Sequence, residues 1–133
     1  MKQLIFARSY LFIPAHKERF LAKIIDINSD IFIIDLEDAV PSNLKNSARH
    51  CFNEYYSTLA VELIKKKTYV RINPVKSNEH YYDLKSLQEN NITNIVLPKI
   101  ETSKDLDLLQ SNYVEVGKIH EKLKVHCLIE TAP

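Results

Sequence analysis

Five short apolar runs, each continuous and each stopped abruptly, limit what this chain can fold into. They are Tyr10-Leu11-Phe12-Ile13, ended by Pro14, and Ile31-Phe32-Ile33-Ile34, ended by the acidic cluster Asp35, Glu37 and Asp38. Thr68-Tyr69-Val70-Arg71-Ile72 stops at Asn73-Pro74, Ile95-Val96-Leu97 at Pro98-Lys99, and Val125-His126-Cys127-Leu128-Ile129 at Glu130. A strand with one wet face alternates apolar and polar residues. An unbroken run rich in β-branched side chains marks a strand covered on both faces, as in a parallel sheet. Between the runs, apolar residues recur at helical spacing. Phe20, Ile24 and Ile27 make one stripe. Leu44, Ala48, Cys51, Phe52, Tyr55, Leu59 and Leu63 make a long second one, with Ser42 or Asn43 placed to cap it. Tyr81, Leu84 and Leu87 form a third, and Leu106, Leu109 and Tyr113 a fourth behind Ser103. The fourth either runs on through Gly117 to Leu123 or breaks. Strand and helix alternate to a fifth strand, which is an α/β class with a parallel sheet.

Two architectures fit that alternation. One is an open five-stranded doubly wound sheet, which suits 133 residues as a single domain. The other is part of a (β/α)8 barrel, since a whole one needs about 250 residues. The strand ends decide between them, because in both folds the carboxyl ends of parallel strands form the active face.

Composition removes several functions. A net charge of +1 leaves no basic excess for a dedicated nucleic-acid binder. No apolar run nears the roughly 18 residues of a membrane span, and the N-terminal stretch meets Arg8 too soon for a secretion signal. Cys51 and Cys127 make neither a disulfide framework nor a zinc spacing. A cytoplasmic protein is the expectation. One glycine in the whole chain, Gly117, excludes glycine-rich phosphate loops.

The polar groups at the strand ends are His16; Asp35, Glu37 and Asp38; Arg71 and Asn73; Lys99; and Glu130 with Thr131. A phosphoacceptor site of the receiver kind needs an Asp after the third strand and a Lys after the fifth. Arg71 and Glu130 stand there instead. Oxygen ligands without His or Cys suit a hard cation such as Mg²⁺, which keeps several waters and takes one or two carboxylates. An Arg opposite such an ion can grip a substrate carboxylate through two N–H groups. The bland alternatives are an Arg flanking a strand, a solvated Glu130, and Asp35, Glu37 and Asp38 meeting a helix dipole. Lys99 reads as an ion-pair partner rather than a catalyst, and His16 as an exposed loop residue. His50, His80, His120 and His126 show no ligand spacing. Lys65-Lys66-Lys67 closes a helix, and Tyr55, Tyr56, Tyr81 and Tyr82 read as helix-face packing.

The segments Arg8–Pro14, Ile34-Asp35-Leu36-Glu37-Asp38-Ala39-Val40, Val70-Arg71-Ile72-Asn73-Pro74, Val96-Leu97-Pro98-Lys99-Ile100-Glu101 and Leu128-Ile129-Glu130-Thr131-Ala132 resemble five ordered motifs of the citrate lyase β-subunit-like family, within the HpcH/HpaI aldolase superfamily that also holds malyl-CoA lyases. The resemblance spans essentially the whole chain. It implies a partial (β/α)8 barrel of about five parallel strands, a Mg²⁺ site, and cleavage or formation of a C–C bond beside an acyl thioester. It implies that Arg71 binds substrate, that Glu130 ligates the metal and meets substrate, and that Glu37 and Asp38 lie beside the metal's waters. Arg19 and Lys23 are the nearest matches to the family's contact with a CoA or carrier arm.

Two departures stand out. Ala15 replaces the glycine usual after the first strand, and Ala tolerates a positive φ poorly. The sixth strand, which carries the family's second metal-ligating Asp, lies beyond Pro133, so residues 1–133 read as a single truncated domain. Expected partners are therefore an oxo-acid or acyl thioester on CoA or an acyl carrier, with no nucleic acid and no membrane. The expected assembly is a homo-oligomer, and the resemblance implies the trimeric kind that many relatives favour. The alternative function is a non-catalytic ligand-binding or structural remnant. A strand-end Arg71 facing solvent or ligand is expected to be replaceable without leaving a buried unpaired charge.

Overall fold

A computed structural model describes residues 7–117 and 123–130 of the chain. His120 and the Thr131 and Ala132 of the fifth motif lie outside those residues. The five apolar runs form strands β1 (Tyr10–Pro14), β2 (Ile31–Asp35), β3 (Thr68–Arg71), β4 (Asn94–Leu97) and β5 (Lys124–Cys127), all parallel. Helices α1 (Glu18–Ala22), α2 (Lys45–Thr58), α3 (Glu62–Lys66), α4 (His80–Glu89) and α5 (Ser103–Glu115) lie between them.

The strand order is β1-β2-β3-β4-β5. A doubly wound sheet reverses its order at a switch point and places helices on both faces. A sequential order of parallel strands instead winds in one direction, as in a barrel wall, and the open doubly wound alternative falls. The packing agrees. Ile13, Phe32, Ile34, Val70, Ile95 and Leu97 share one core with Leu21 of α1, Phe52 of α2, Leu84 and Leu87 of α4, and Leu109 and Tyr113 of α5. The opposite face carries a small second cluster of Ile31, Ile33 and Val96, flanked by Tyr69 and Leu128. The five-stranded sheet is not closed, so the expectation of strands covered on both faces holds in the middle only. Tyr10 and Phe12 on β1 are 49% and 43% exposed, whereas β2 is buried throughout.

Local chemistry moves several helix boundaries. The long second stripe splits into α2 and α3. Ser57 and Thr58 turn their hydroxyls back onto the Glu54 carbonyl at 3.1 and 3.0 Å, competing with helix propagation, and Leu59 leaves in an extended conformation. No side chain caps α2, which is entered from a 3-10 turn over Ser42–Leu44. The first stripe is shifted in phase: Leu21 and Ile24 are buried, while Phe20 and Ile27 are exposed. In α4, Leu84 and Leu87 face the core but Tyr81 does not. Tyr81 and Tyr82 pair edge to face on the surface, 5.4 Å apart. At the start of α5 the cap is Thr102 rather than Ser103, and the Asp105 carboxylate accepts the N–H groups of Glu101 and Thr102. The fourth stripe breaks: α5 ends at Glu115. Gly117 follows where a Cβ would come within 2.2 Å of the Gln88 side chain, so the single glycine marks a close approach.

Candidate active site

The register aligns the strand ends. Pro14 pairs with Asp35, Asp35 with Arg71, Arg71 with Val96, and Val96 with His126. Asp35 and Arg71 thus end neighbouring strands side by side on the face away from the helices. The Arg71 guanidinium meets the Asp35 carboxylate through Nε at 2.8 Å and also through Nη2. The Asp35 side chain is fully buried and that of Arg71 only 12% exposed. Asp35 also accepts the N–H groups of Glu37 at 2.8 Å and Ala39 at 3.0 Å, and so bends the chain into the turn that follows β2. Phe12 lies under the guanidinium, with its ring centroid 4.8 Å from Cζ.

This pairing corrects the expectation that Arg71 is free to be replaced. Its removal would strand a buried carboxylate. The fork formed by Nε and Nη2 is taken by Asp35, and Nη1 makes no hydrogen bond among the described residues. Asp35, read from sequence as one of the strand-end carboxylates or a helix-dipole partner, is what aims Arg71. The hydrogen bond donated to Asp35 raises the guanidinium pKa above its ordinary value.

Glu37 occupies the centre of the cluster at 3% exposure. Its Oε2 accepts from Lys99 Nζ at 2.9 Å and its Oε1 lies 3.7 Å from Arg71 Nε, without a hydrogen-bond partner among the described residues. Burial pushes the Glu37 pKa up, with the adjacent Asp38 carboxylate adding to the effect. Asp38 is exposed and 3.6 Å from Lys99 Nζ. Its pKa is lowered, first by the contact with Glu37 and also by Lys99 and Arg71. Lys99 is an ion-pair partner, as read, but in an unusual posture. Its φ of 54° is left-handed, which costs a non-glycine residue about 1–2 kcal/mol. That conformation sends Nζ toward Glu37 while its N–H reaches Glu130 Oε2 at 3.2 Å. Nothing in the order Pro98-Lys99 signalled it. Glu130 itself is exposed.

The remaining candidates fall elsewhere. Arg19 and Lys23 line a surface cleft of about 560 Å³ with His16, Phe20 and Cys51, and no hydrogen bond or ion pair joins them to the Arg71 cluster among the described residues. His16 is half-buried rather than exposed. Its Nδ1 is buried, and burial lowers its pKa, with Lys17 assisting. Ala15 is fully buried without a positive φ, so the missing glycine brings no strain. Among the described residues no three His, Cys, Asp or Glu side chains converge on one point as metal ligands. The exposed carboxylates of the cluster are Asp38 and Glu130, both beside Lys99, while Glu37 Oε1 is buried.

A singly wound parallel wall with an Arg–carboxylate–Lys cluster at its strand ends is a segment of a (β/α) barrel fold. The chain belongs to the HpcH/HpaI aldolase/citrate lyase family, whose model matches residues 8–133. It is 28% identical to human mitochondrial citramalyl-CoA lyase over 94% of this chain and 38% of that protein. It is 34% identical to a (3S)-malyl-CoA thioesterase of Cereibacter sphaeroides over 94% of this chain and 41% of that one. Its fold superposes on the citrate lyase beta subunit of Mycobacterium tuberculosis, complexed with oxaloacetate and magnesium, with a TM-score of 0.68 at 29% identity, covering 92% of this chain and 47% of that one. The chain spans about two fifths of the length of the curated relatives it matches.

Proposed function

We propose that the chain carries the substrate-binding strand ends of a Mg²⁺-assisted carbon–carbon lyase acting on a 2-hydroxy- or 2-oxo-acid acyl thioester of the citryl or malyl type. The observation that supports this most is Arg71, held by Asp35 through Nε and Nη2, with no hydrogen bond to Nη1 among the described residues, inside a ring made by Glu37, Asp38 and Lys99. The Nη1 edge binds the ligand's carboxylate or developing enolate oxygen. Because Asp35 has already oriented it, little reorganisation is needed when charge develops. Lys99 offsets part of the charge of the Glu37 and Asp38 carboxylates, and Glu37, with its pKa raised, holds a proton more readily than an exposed carboxylate. Glu130 would hold Mg²⁺ directly, and Glu37 and Asp38 would face its waters. When bound, the ion supplies Lewis acidity toward the oxo-acid end. Arg19 and Lys23, in their separate cleft, are placed to meet a CoA or carrier arm.

The open edges β1 and β5 and the exposed Tyr10 and Phe12 support homo-oligomeric association, of the trimeric kind known in the family. Sedimentation at tens of micromolar tests it, and a clean monomer would count against it. No helix among the described residues is long and apolar enough to cross a membrane, and a cytoplasmic site of action is part of this reading.

The test is titration with oxaloacetate with and without Mg²⁺, followed by assay of acetyl-CoA release from malyl-CoA or citryl-CoA. Saturable, Mg²⁺-enhanced binding that Arg71→Lys weakens is expected. Binding without turnover would favour the ligand-binding remnant over the lyase, a reading supported by the single direct carboxylate. Absence of binding would overturn both.

A further inference from the structure

The turn after β2 delivers Glu37 and Asp38 to the cluster, and its carbonyls are gripped from outside. Lys45 Nζ, at the first residue of α2, donates to Leu36 O at 2.9 Å and to Glu37 O at 2.6 Å. Asn73 Nδ2 donates to Leu36 O at 3.0 Å. Asn73 is itself held by Asp83, whose Oδ2 accepts both its backbone N–H and its Nδ2 at 2.7 Å. Asp83 is clamped in turn by Arg49 Nη1 at 3.0 Å, which also meets Glu79 at 2.7 Å. His80 Nδ1 donates to the Asn73 carbonyl at 2.9 Å, since a carbonyl can only accept.

This network is poorly suited to stability alone. The Lys45 ammonium is spent on two neutral carbonyls, with no carboxylate paired to it among the described residues, and burial lowers its pKa. Asp83 is completely buried, and its burial outweighs its hydrogen bonds in raising its pKa. Replacing such groups by apolar ones is often neutral or stabilising, whereas a satisfied buried network fixes one geometry. Asp83 and His80 both bond Asn73, and Asn73 and Lys45 bond the carbonyls of Leu36 and Glu37, while Arg49 ties Asp83 to Glu79 and Asn46.

We propose that Lys45, Asn73 and Asp83 are positioning residues that hold the Leu36–Glu37 backbone, and so fix the Glu37 carboxylate between Arg71 and Lys99. Among the described residues no hydrogen bond or ion pair joins any of the three to Arg71 or Lys99. The functional part of the proposal rests on the reading of the Arg71 cluster as a ligand site.

The experiment follows amide exchange and oxaloacetate binding in the 133-residue chain and its variants. Lys45→Met keeps the apolar stem and removes the ammonium. Lys45→Arg keeps a cationic donor. Lys45→Met is expected to speed exchange at the Glu37 and Ala39 amides about tenfold, and to weaken oxaloacetate about tenfold, as loss of supporting partners around a site commonly does. Exchange in β2 and β3 should be unchanged, and Lys45→Arg should restore much of both effects. Asp83→Asn, which keeps an acceptor for Asn73 but loses Arg49, should act in the same direction and serves if Lys45→Met does not fold. Unchanged exchange at Glu37 and Ala39, or equal acceleration across the sheet, would overturn the proposal. Wild-type chain that ignores oxaloacetate would defeat the ligand-site reading instead, while the exchange pattern still decides whether these residues position the turn.

Discussion

Replacing Arg71 with alanine removes the only cation that the fully buried Asp35 carboxylate pairs with among the described residues. Breaking a buried ion pair from one side costs about 3–5 kcal/mol, because the remaining charge stays desolvated. Asp35 retains the N–H groups of Glu37 and Ala39 at 2.8 and 3.0 Å, which places the loss at the lower end, about 3 kcal/mol. Losing the guanidinium above Phe12 adds about 0.5–1 kcal/mol. A total of about 3–4 kcal/mol is a large part of the 5–15 kcal/mol typical of a domain. With a urea slope of about 1.5 kcal/mol per molar, the midpoint should fall by about 2 M. Arg71→Lys keeps the charge without the two-pronged geometry and should lose about 1–2 kcal/mol. Urea melts by circular dichroism measure both. A loss below about 1 kcal/mol for Arg71→Ala would show that Asp35 is not held by Arg71 in solution, and the account of how the guanidinium is aimed would fall with it.

Other substitutions address separate parts of the molecule. With Glu130 as the single direct carboxylate, Mg²⁺ should bind at about millimolar Kd, and Glu130→Gln should weaken it further in a Mn²⁺ spin-resonance titration; tight stoichiometric binding, or equal binding by both proteins, would refute the ligand assignment. Tyr55 is raised to about 12 by burial, and its hydroxyl finds no hydrogen-bond partner among the described residues. Tyr55→Phe should therefore be neutral or stabilising by up to about 1 kcal/mol in the same melts. Asp105 is lowered by the N–H groups of Glu101 and Thr102. A depressed carboxylate contributes stability that is present above its unfolded value and lost as pH falls through its folded one, so exchange at the Thr102 amide should accelerate only below the ordinary aspartate range. Asp105→Asn should remove that pH dependence.

What the sequence determined by itself was local: where apolar residues run unbroken, where they stop, and which polar residues stand at the stops. Burial of a strand acts on consecutive residues, so β2 and the polar ends at Asp35, Arg71 and Lys99 were legible in one pass. The order of motifs carried the family as well. Phase and boundaries were less legible, because Thr58 ends a helix through its own hydroxyl and Phe20 lies one position off the buried stripe. The strand order, and with it the choice between barrel wall and doubly wound sheet, was decided only in three dimensions, since either winding leaves the same apolar periodicity. The site was likewise assembled by register. Asp35 finds Arg71 across 36 positions, Lys99 reaches Glu37 across 62 through a left-handed backbone, and Asp83 steadies Asn73 from α4. Such pairings depend on which strand ends lie side by side, and a carboxylate's partner is set by that adjacency rather than by its neighbours in the chain.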